Sequence, residues 1–148
     1  MTQETTQLTK GYCLCRKTTF EYVGETNWEC YCHCDDCCRN CAAPVVAWLG
    51  VPEQNFKWTG DTPKTYQSSE RVTRYFCETC GTPIGFVAAH YPGGMHLYAS
   101  TLEDPSKFDP TFHVNFASKQ PWLPLVDDLE KHDKTLLHSR DDLIDYSD

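Results

Sequence analysis

The chain of 148 residues carries ten cysteines, and they fall into three clusters. Cys13-x-Cys15 comes first, Cys77-x-x-Cys80 comes last, and between them run Cys30, Cys32, Cys34, Cys37, Cys38 and Cys41. A cysteine thiolate is a soft metal ligand and a nucleophile. Two short cysteine pairs put two sulfurs each on a tight turn, and two such turns brought together supply four thiolates at about 2.3 Å from a tetrahedral metal ion. Cys13, Cys15, Cys77 and Cys80 are therefore expected to share one structural zinc. Phe76-Cys77-Glu78-Thr79-Cys80-Gly81-Thr82 has the form of a zinc knuckle, in which the glycine permits the turn and the close approach of N–H groups to sulfur.

The middle cluster can be read in two ways. As extended chain, Cys30, Cys32 and Cys34 point to one face. If a helix begins near Cys34, then Cys34, Cys37, Cys38 and Cys41 lie along one stripe. Both patterns bring three or four sulfurs together, so spacing alone does not choose the ligands, and Cys38 or Cys41 can equally be small buried hydrophobes. The centre of the cluster is Cys32-His33-Cys34-Asp35-Asp36-Cys37, where three sulfurs can cap one side of a metal ion and leave its fourth position open or filled from elsewhere. A closed site is structural, whereas an open one can do chemistry.

Composition narrows the setting. The formal charge of −8 argues against unspecific binding to nucleic acid or to an anionic membrane. Arg71 and Arg74 read as a solvated strand face in preference to a basic patch. The first residues carry neither a basic n-region nor an apolar h-region, and no stretch is long and apolar enough to span a bilayer. The expected compartment is the cytoplasm, where thiols stay reduced and metal, not disulfide pairing, accounts for ten cysteines.

The elements that must position these residues are mainly strands. Residues 1–10 are polar and expected to be loose; residues 11–132 form one zinc-binding β domain; residues 133–148 form an acidic tail, mobile or peripheral from Ser139 onward. Branched and aromatic runs predict strands over 18–23, 45–49, 56–59, 64–67, 71–76, 84–88, 95–99 and 112–116, separated by turn residues such as Tyr91-Pro92-Gly93-Gly94. Helical signal is confined to one or two turns over 35–40 and a short segment over 127–132. The expected architecture is a mostly antiparallel β domain.

Gly11-Tyr12-Cys13-Leu14-Cys15, Cys32-His33-Cys34-Asp35-Asp36-Cys37-Cys38-Arg39 and Phe76-Cys77-Glu78-Thr79-Cys80-Gly81-Thr82-Pro83 together resemble the glutathione-dependent formaldehyde-activating enzyme family, also called the centromere-protein-V-like family. Ser100-Thr101-Leu102-Glu103-Asp104-Pro105, His113-Val114 and Trp122 extend the resemblance over residues 11 to 122. It implies a β-tent fold, two antiparallel sheets pinned by zinc. It also implies two zinc ions per chain: a structural one on Cys13, Cys15, Cys77 and Cys80, and a catalytic one with an open position on Cys32, Cys34 and Cys37. The chain departs from the family pattern at Arg16 and Ala42, where glycine is common, and at Cys38, where a basic residue is common. Arg16 calls for a differently built turn, and Cys38 could close the second site.

A zinc ion on three thiolates carries a net charge of about −1, which suits it to binding a soft sulfur better than to making hydroxide. The family reaction fits that chemistry: the sulfur of glutathione adds to the carbonyl of formaldehyde and gives S-(hydroxymethyl)glutathione, a carbon–sulfur lyase reaction in reverse. His33 is the candidate proton shuttle, against the plainer reading that it points away between two ligands. Arg39 is the candidate for a carboxylate of the tripeptide, against an ion pair with Asp35 or Asp36. His90, His96, His113, His132 and His138 are each isolated and read as surface or hydrogen-bonded residues. Trp48, Trp58, Tyr75, Phe76 and Phe86 fill the core or line a pocket. The competing function is a non-catalytic zinc-stabilised binding module with both sites structural; a thiol switch using Cys30, Cys38 or Cys41 is a third.

Overall fold

In the computed structural model residues 6–137 and 144–146 are described. Along them the chain forms β1 (Leu8–Tyr12), β2 (Thr19–Val23), β3 (Trp28–Cys32), helix α1 (Asp35–Cys41), β4 (Val46–Pro52), β5 (Phe56–Trp58), β6 (Lys64–Ser69), β7 (Val72–Phe76), β8 (Pro83–Ala88), β9 (Gly94–Tyr98), β10 (Phe112–Val114), β11 (Glu130–Lys131), β12 (Thr135–Leu137) and β13 (Ile144–Tyr146).

Two sheets carry the fold. A small antiparallel sheet has the order β1-β2-β5, and a large one has the order β11-β10-β3-β4-β9-β8-β7-β6. β12 and β13 pair with each other. Side chains alternate across a strand, so each strand of the large sheet serves two faces. On β4, Leu49 and Val51 pack toward the small sheet with Phe20, Tyr22, Ile84, Met95 and Leu97, while Val46 and Trp48 join Cys30, Cys32, Cys37, Tyr98 and Val114 on the opposite face. The first group is the main core, closed between the sheets. Leu49, Ile84 and Leu97 have no exposed surface there, and truncating any of them to Ala would cost about 2–5 kcal/mol.

α1 is seven residues long, and it sits at the edge of the second face with Cys37 buried. Asp35 and Asp36 in its first turn and Arg39 in its last complement the helix dipole. Its chain leaves through Ala42 in the left-handed conformation, φ 54°, with Ala42 N–H donating to Arg39 O and Ala43 N–H to Cys38 O.

The expected strands are present, with differences that have physical reasons. β4 runs on through Gly50 and Pro52, which the sequence reading took as its boundary; Gly50 lets the Trp28 ring lie against the backbone, and Pro52 ends the strand. Residues 8–10, assigned to the loose leading segment for their polarity, belong to β1 and pair with β2; residues 1–5 lie outside the described residues. The 127–132 segment is extended, with Glu130 and Lys131 pairing beside β10. β10 runs parallel to both β3 and β11, so the large sheet is mixed at that edge. Of the expected tail, residues 138–143 and 147–148 lie outside the described residues. No helix among the described residues is long and apolar enough to cross a membrane.

Candidate functional site

The β1–β2 turn of the small sheet carries Cys13 and Cys15, and the β7–β8 turn of the large sheet carries Cys77 and Cys80. Their sulfurs all lie within 4.8 Å of one another, a group able to hold a metal ion. Cys13 Sγ and Cys15 Sγ are 3.6 Å apart, and Cys15 Sγ and Cys77 Sγ 3.7 Å. A tetrahedral zinc with bonds of about 2.3 Å needs sulfur–sulfur edges of about 3.8 Å, so these side chains fit the ion. Donors surround the sulfurs: Thr18 N–H donates to Cys13 Sγ at 3.3 Å, and the Thr82 hydroxyl, 3.1 Å from Cys80 Sγ, holds that thiol down to about 5. Leu14 N–H donates to Thr82 Oγ1, tying one turn to the other.

Arg16 does not change the first turn. It adopts the left-handed conformation itself, φ 66°, as Gly81 does in the second turn at φ 77°. Arg16 N–H donates to Cys13 O, as Gly81 N–H donates to Cys77 O. The Arg16 guanidinium lies over the Tyr12 ring, 4.3 Å from its centroid.

The middle cysteines meet a different environment. Cys30 and Cys32 share one face of β3, Cys34 precedes α1, and Cys37 is buried on α1. These four line a cavity of about 770 Å³ whose walls include Trp48 and Phe86. The thiols of Cys32, Cys34 and Cys37 lie within hydrogen-bonding reach of one another, although among the described residues only Cys13, Cys15, Cys77 and Cys80 are already gathered closely enough to hold an ion as they stand. Side-chain hydrogen bonds with Cys32 and Cys37 pull the Cys34 thiol far down, while those with Cys34 and Cys37 push Cys32 up. Cys34 N–H and Asn115 Nδ2 both donate to Cys32 Sγ at 3.5 Å, the kind of support a metal-bound thiolate receives. Cys38 and Cys41 turn away: Cys38 Sγ faces Cys32 O at 4.0 Å and Cys41 Sγ faces Cys37 O at 3.3 Å.

His33 and Arg39 do not join that wall. His33 is 2% exposed and its ring stacks on His113. Asp127 Oδ2 accepts from His113 Nε2 at 2.8 Å, which leaves His113 Nδ1 to accept from His33 Nε2 at 2.8 Å. Burial pushes His33 down to about 4. The His33 proton thus points along a buried chain to Asp127 and away from the cavity. Arg39 sits on the solvent side of α1, its Nε on Asp35 Oδ2 at 2.9 Å with both side chains largely exposed.

Two contributors escaped the sequence reading. Arg74, taken for a solvated strand residue, is 6% exposed and lines the cavity. The signal lay in the alternation of β7, where Tyr75 packs against the main core and Arg74 must face the other way. Asn115 had no signal beyond its tolerance of the left-handed conformation it adopts, φ 52°.

The comparisons agree with this architecture. A yeast protein described as an uncharacterized lyase, from Schizosaccharomyces pombe, is 29% identical over 89 residues, covering 60% of this chain and 62% of its own length. The match thus spans less than two thirds of that relative. A crystal structure of a Rhodobacter sphaeroides protein superposes with a TM-score of 0.51 at 22% identity, over 64% of this chain and 87% of that one, and shares the fold. Residues 8–118, well over half of the chain, match the family described as glutathione-dependent formaldehyde-activating enzyme, and the chain belongs to that family.

Proposed function

We propose that the protein is a zinc-dependent carbon–sulfur lyase that joins a thiol to a small aldehyde, by default glutathione to formaldehyde, and cleaves the adduct in reverse. The observation that carries this reading is the cavity of about 770 Å³ with Cys30, Cys32, Cys34 and Cys37 on its wall, a size that accepts a small-molecule substrate. In this reading Cys13, Cys15, Cys77 and Cys80 hold a structural zinc, and Cys32, Cys34 and Cys37 hold a second. Bound there, zinc would lower the pKa of a substrate thiol and so supply thiolate at neutral pH.

The chain's own residues do the rest. Cys34 N–H and Asn115 Nδ2 fix the Cys32 sulfur. Trp48 and Phe86 give the cavity an apolar wall against which thiol and aldehyde would be held together. The new carbon–sulfur bond takes the sulfur lone pair, the carbonyl pair moves to oxygen, and the thiol proton ends on that oxygen. His33 acts as a positioning residue, not a proton shuttle, because its ring faces His113 and is absent from the cavity wall. The lyase named among the relatives and the family description both support this class of reaction.

The test is metal analysis combined with carbon-13 NMR of adduct formation from glutathione and labelled formaldehyde. Two zinc ions in the wild type, one in Cys34→Ser, and acceleration lost in a folded variant are expected. An adduct rate equal to the uncatalysed one at high protein concentration would sink the proposal. Cys30 favours a second reading, since it lies on the cavity wall and could close the metal site into a structural one. In that case the chain is a binding module, and Cys30→Ser would lower zinc content as Cys34→Ser does.

A further inference from the structure

We infer that Arg74 anchors a carboxylate of the substrate, so that the pocket selects thiols carrying a negative charge. This rests on the thiol-binding reading above. Arg74 lies on β7 in register with Phe86 of β8, on the face of the large sheet that lines the cavity. The residue is only 6% exposed. A guanidinium stays charged at all physiological pH, and a buried charge without a counter-charge is strongly unfavourable.

The chain supplies little to offset that. Nε donates to Ser68 Oγ at 2.9 Å, and the guanidinium carbon lies 5.4 Å from the Phe86 ring centroid. Nη1 is buried with no hydrogen-bond partner. Among the described residues no carboxylate forms an ion pair with Arg74. Trp48 Nε1, also on the cavity wall, is buried and unpartnered as well. Two unfilled donors, Arg74 Nη1 and Trp48 Nε1, thus border one cavity with the cysteines, and a guanidinium N–H is a strong donor to a carboxylate. Arg39, the sequence candidate for this role, is solvated and already bonded to Asp35.

The thiolates of the cysteine wall are the competing counter-charge, and the experiment separates the two roles. Zinc-loaded wild type, Arg74→Gln and Arg74→Lys would be titrated calorimetrically with 3-mercaptopropionate and with its neutral amide, without aldehyde. The wild type should bind the carboxylate at least about tenfold tighter. Arg74→Gln should erase that preference at unchanged zinc content and melting temperature, and Arg74→Lys should keep part of it. No preference in the wild type overturns the proposal without any variant. So does an Arg74→Gln protein that weakens both ligands equally or loses zinc, since Arg74 then serves the thiolates. A protein that shows the preference yet forms no adduct would overturn the lyase reading and leave the anchor standing.

Discussion

In the proposed function the two cysteine groups would use one donor chemistry for different ends, and the contrast lies in where their sulfurs come from. Cys15 and Cys77 are 62 residues apart, on turns of different sheets, and their sulfurs touch. A metal there cross-links the two sheets and removes the entropy of a long loop from the unfolded chain, as a disulfide would. Cys32, Cys34 and Cys37 come from one strand–helix junction, so a metal among them constrains almost nothing. Their sulfurs face a cavity, not a closed nest of turns. Sequence separation turns a thiolate set into a staple, and an adjoining cavity makes one available for chemistry.

The sharpest way to break the comparison is to remove one ligand from each centre. Cys13→Ser is expected to abolish cooperative folding, because structural zinc contributes about 10 kcal/mol or more to small domains and a typical domain has only about 5–15 kcal/mol in hand. Circular dichroism and zinc content after purification would check it, and a folded variant holding two zinc ions would remove the distinction. Cys34→Ser should keep the fold and melting temperature to within a few degrees, yet lose one zinc and at least about a hundredfold in adduct rate. Equal stability losses in the two variants would mean that both centres are staples.

The contrast was only half legible in the sequence. Cys13, Cys15, Cys77 and Cys80 could be grouped because each pair fits on one turn, a local property that spacing reports. The middle cluster could not be resolved by spacing, since Cys30 and Cys32 fit an extended chain, Cys37 and Cys41 fit a helix, and the change from one to the other falls at Cys34. Strands over 71–76 and 84–88 could be read from residue type. The partnership of Arg74 with Phe86 could not, because it depends on cross-strand register. The His33–His113–Asp127 chain depends on a bond between residues 80 positions apart, made possible by a parallel pairing of β3 and β10 that no local pattern announces.

That chain offers a middle-sized test. His113 has no exposed surface, and His113→Ala would leave His33 Nε2 unpartnered in a buried site, costing about 1–3 kcal/mol. Zinc content should not change if His33 merely positions the segment between its neighbours. Burial works to raise the Asp127 carboxyl, but hydrogen bonds from His113 and Lys131 outweigh it and hold the group at about 2. Its folded value lies below the usual value of about 3.9, so its support is complete above about pH 4 and is lost as pH falls toward 2. Acid unfolding curves of wild type and Asp127→Asn should converge across that window; a constant gap between them would show that the carboxylate charge plays no part.

The smallest expected effect compares the two turns of the staple itself. Arg16 and Gly81 hold equivalent left-handed positions after the second cysteine of each pair, at φ 66° and φ 77°. A residue with a Cβ pays roughly 1–2 kcal/mol in that conformation and glycine does not. A Cβ built on Gly81 meets nothing within 4 Å, so Gly81→Ala should cost about 1 kcal/mol through the backbone alone. Arg16→Gly should relieve the same strain, but it gives up the contact with the Tyr12 ring, about 0.5–1 kcal/mol at an exposed site, and frees the unfolded chain. The net gain is therefore expected to stay below about 1 kcal/mol, and Arg16→Ala, which keeps the strain and loses the ring contact, should be the least stable of the three at that position. Chemical denaturation of zinc-loaded protein would rank them. An order with Arg16→Ala above Arg16→Gly would mean that the first turn is held by its sulfurs so firmly that backbone preference no longer counts.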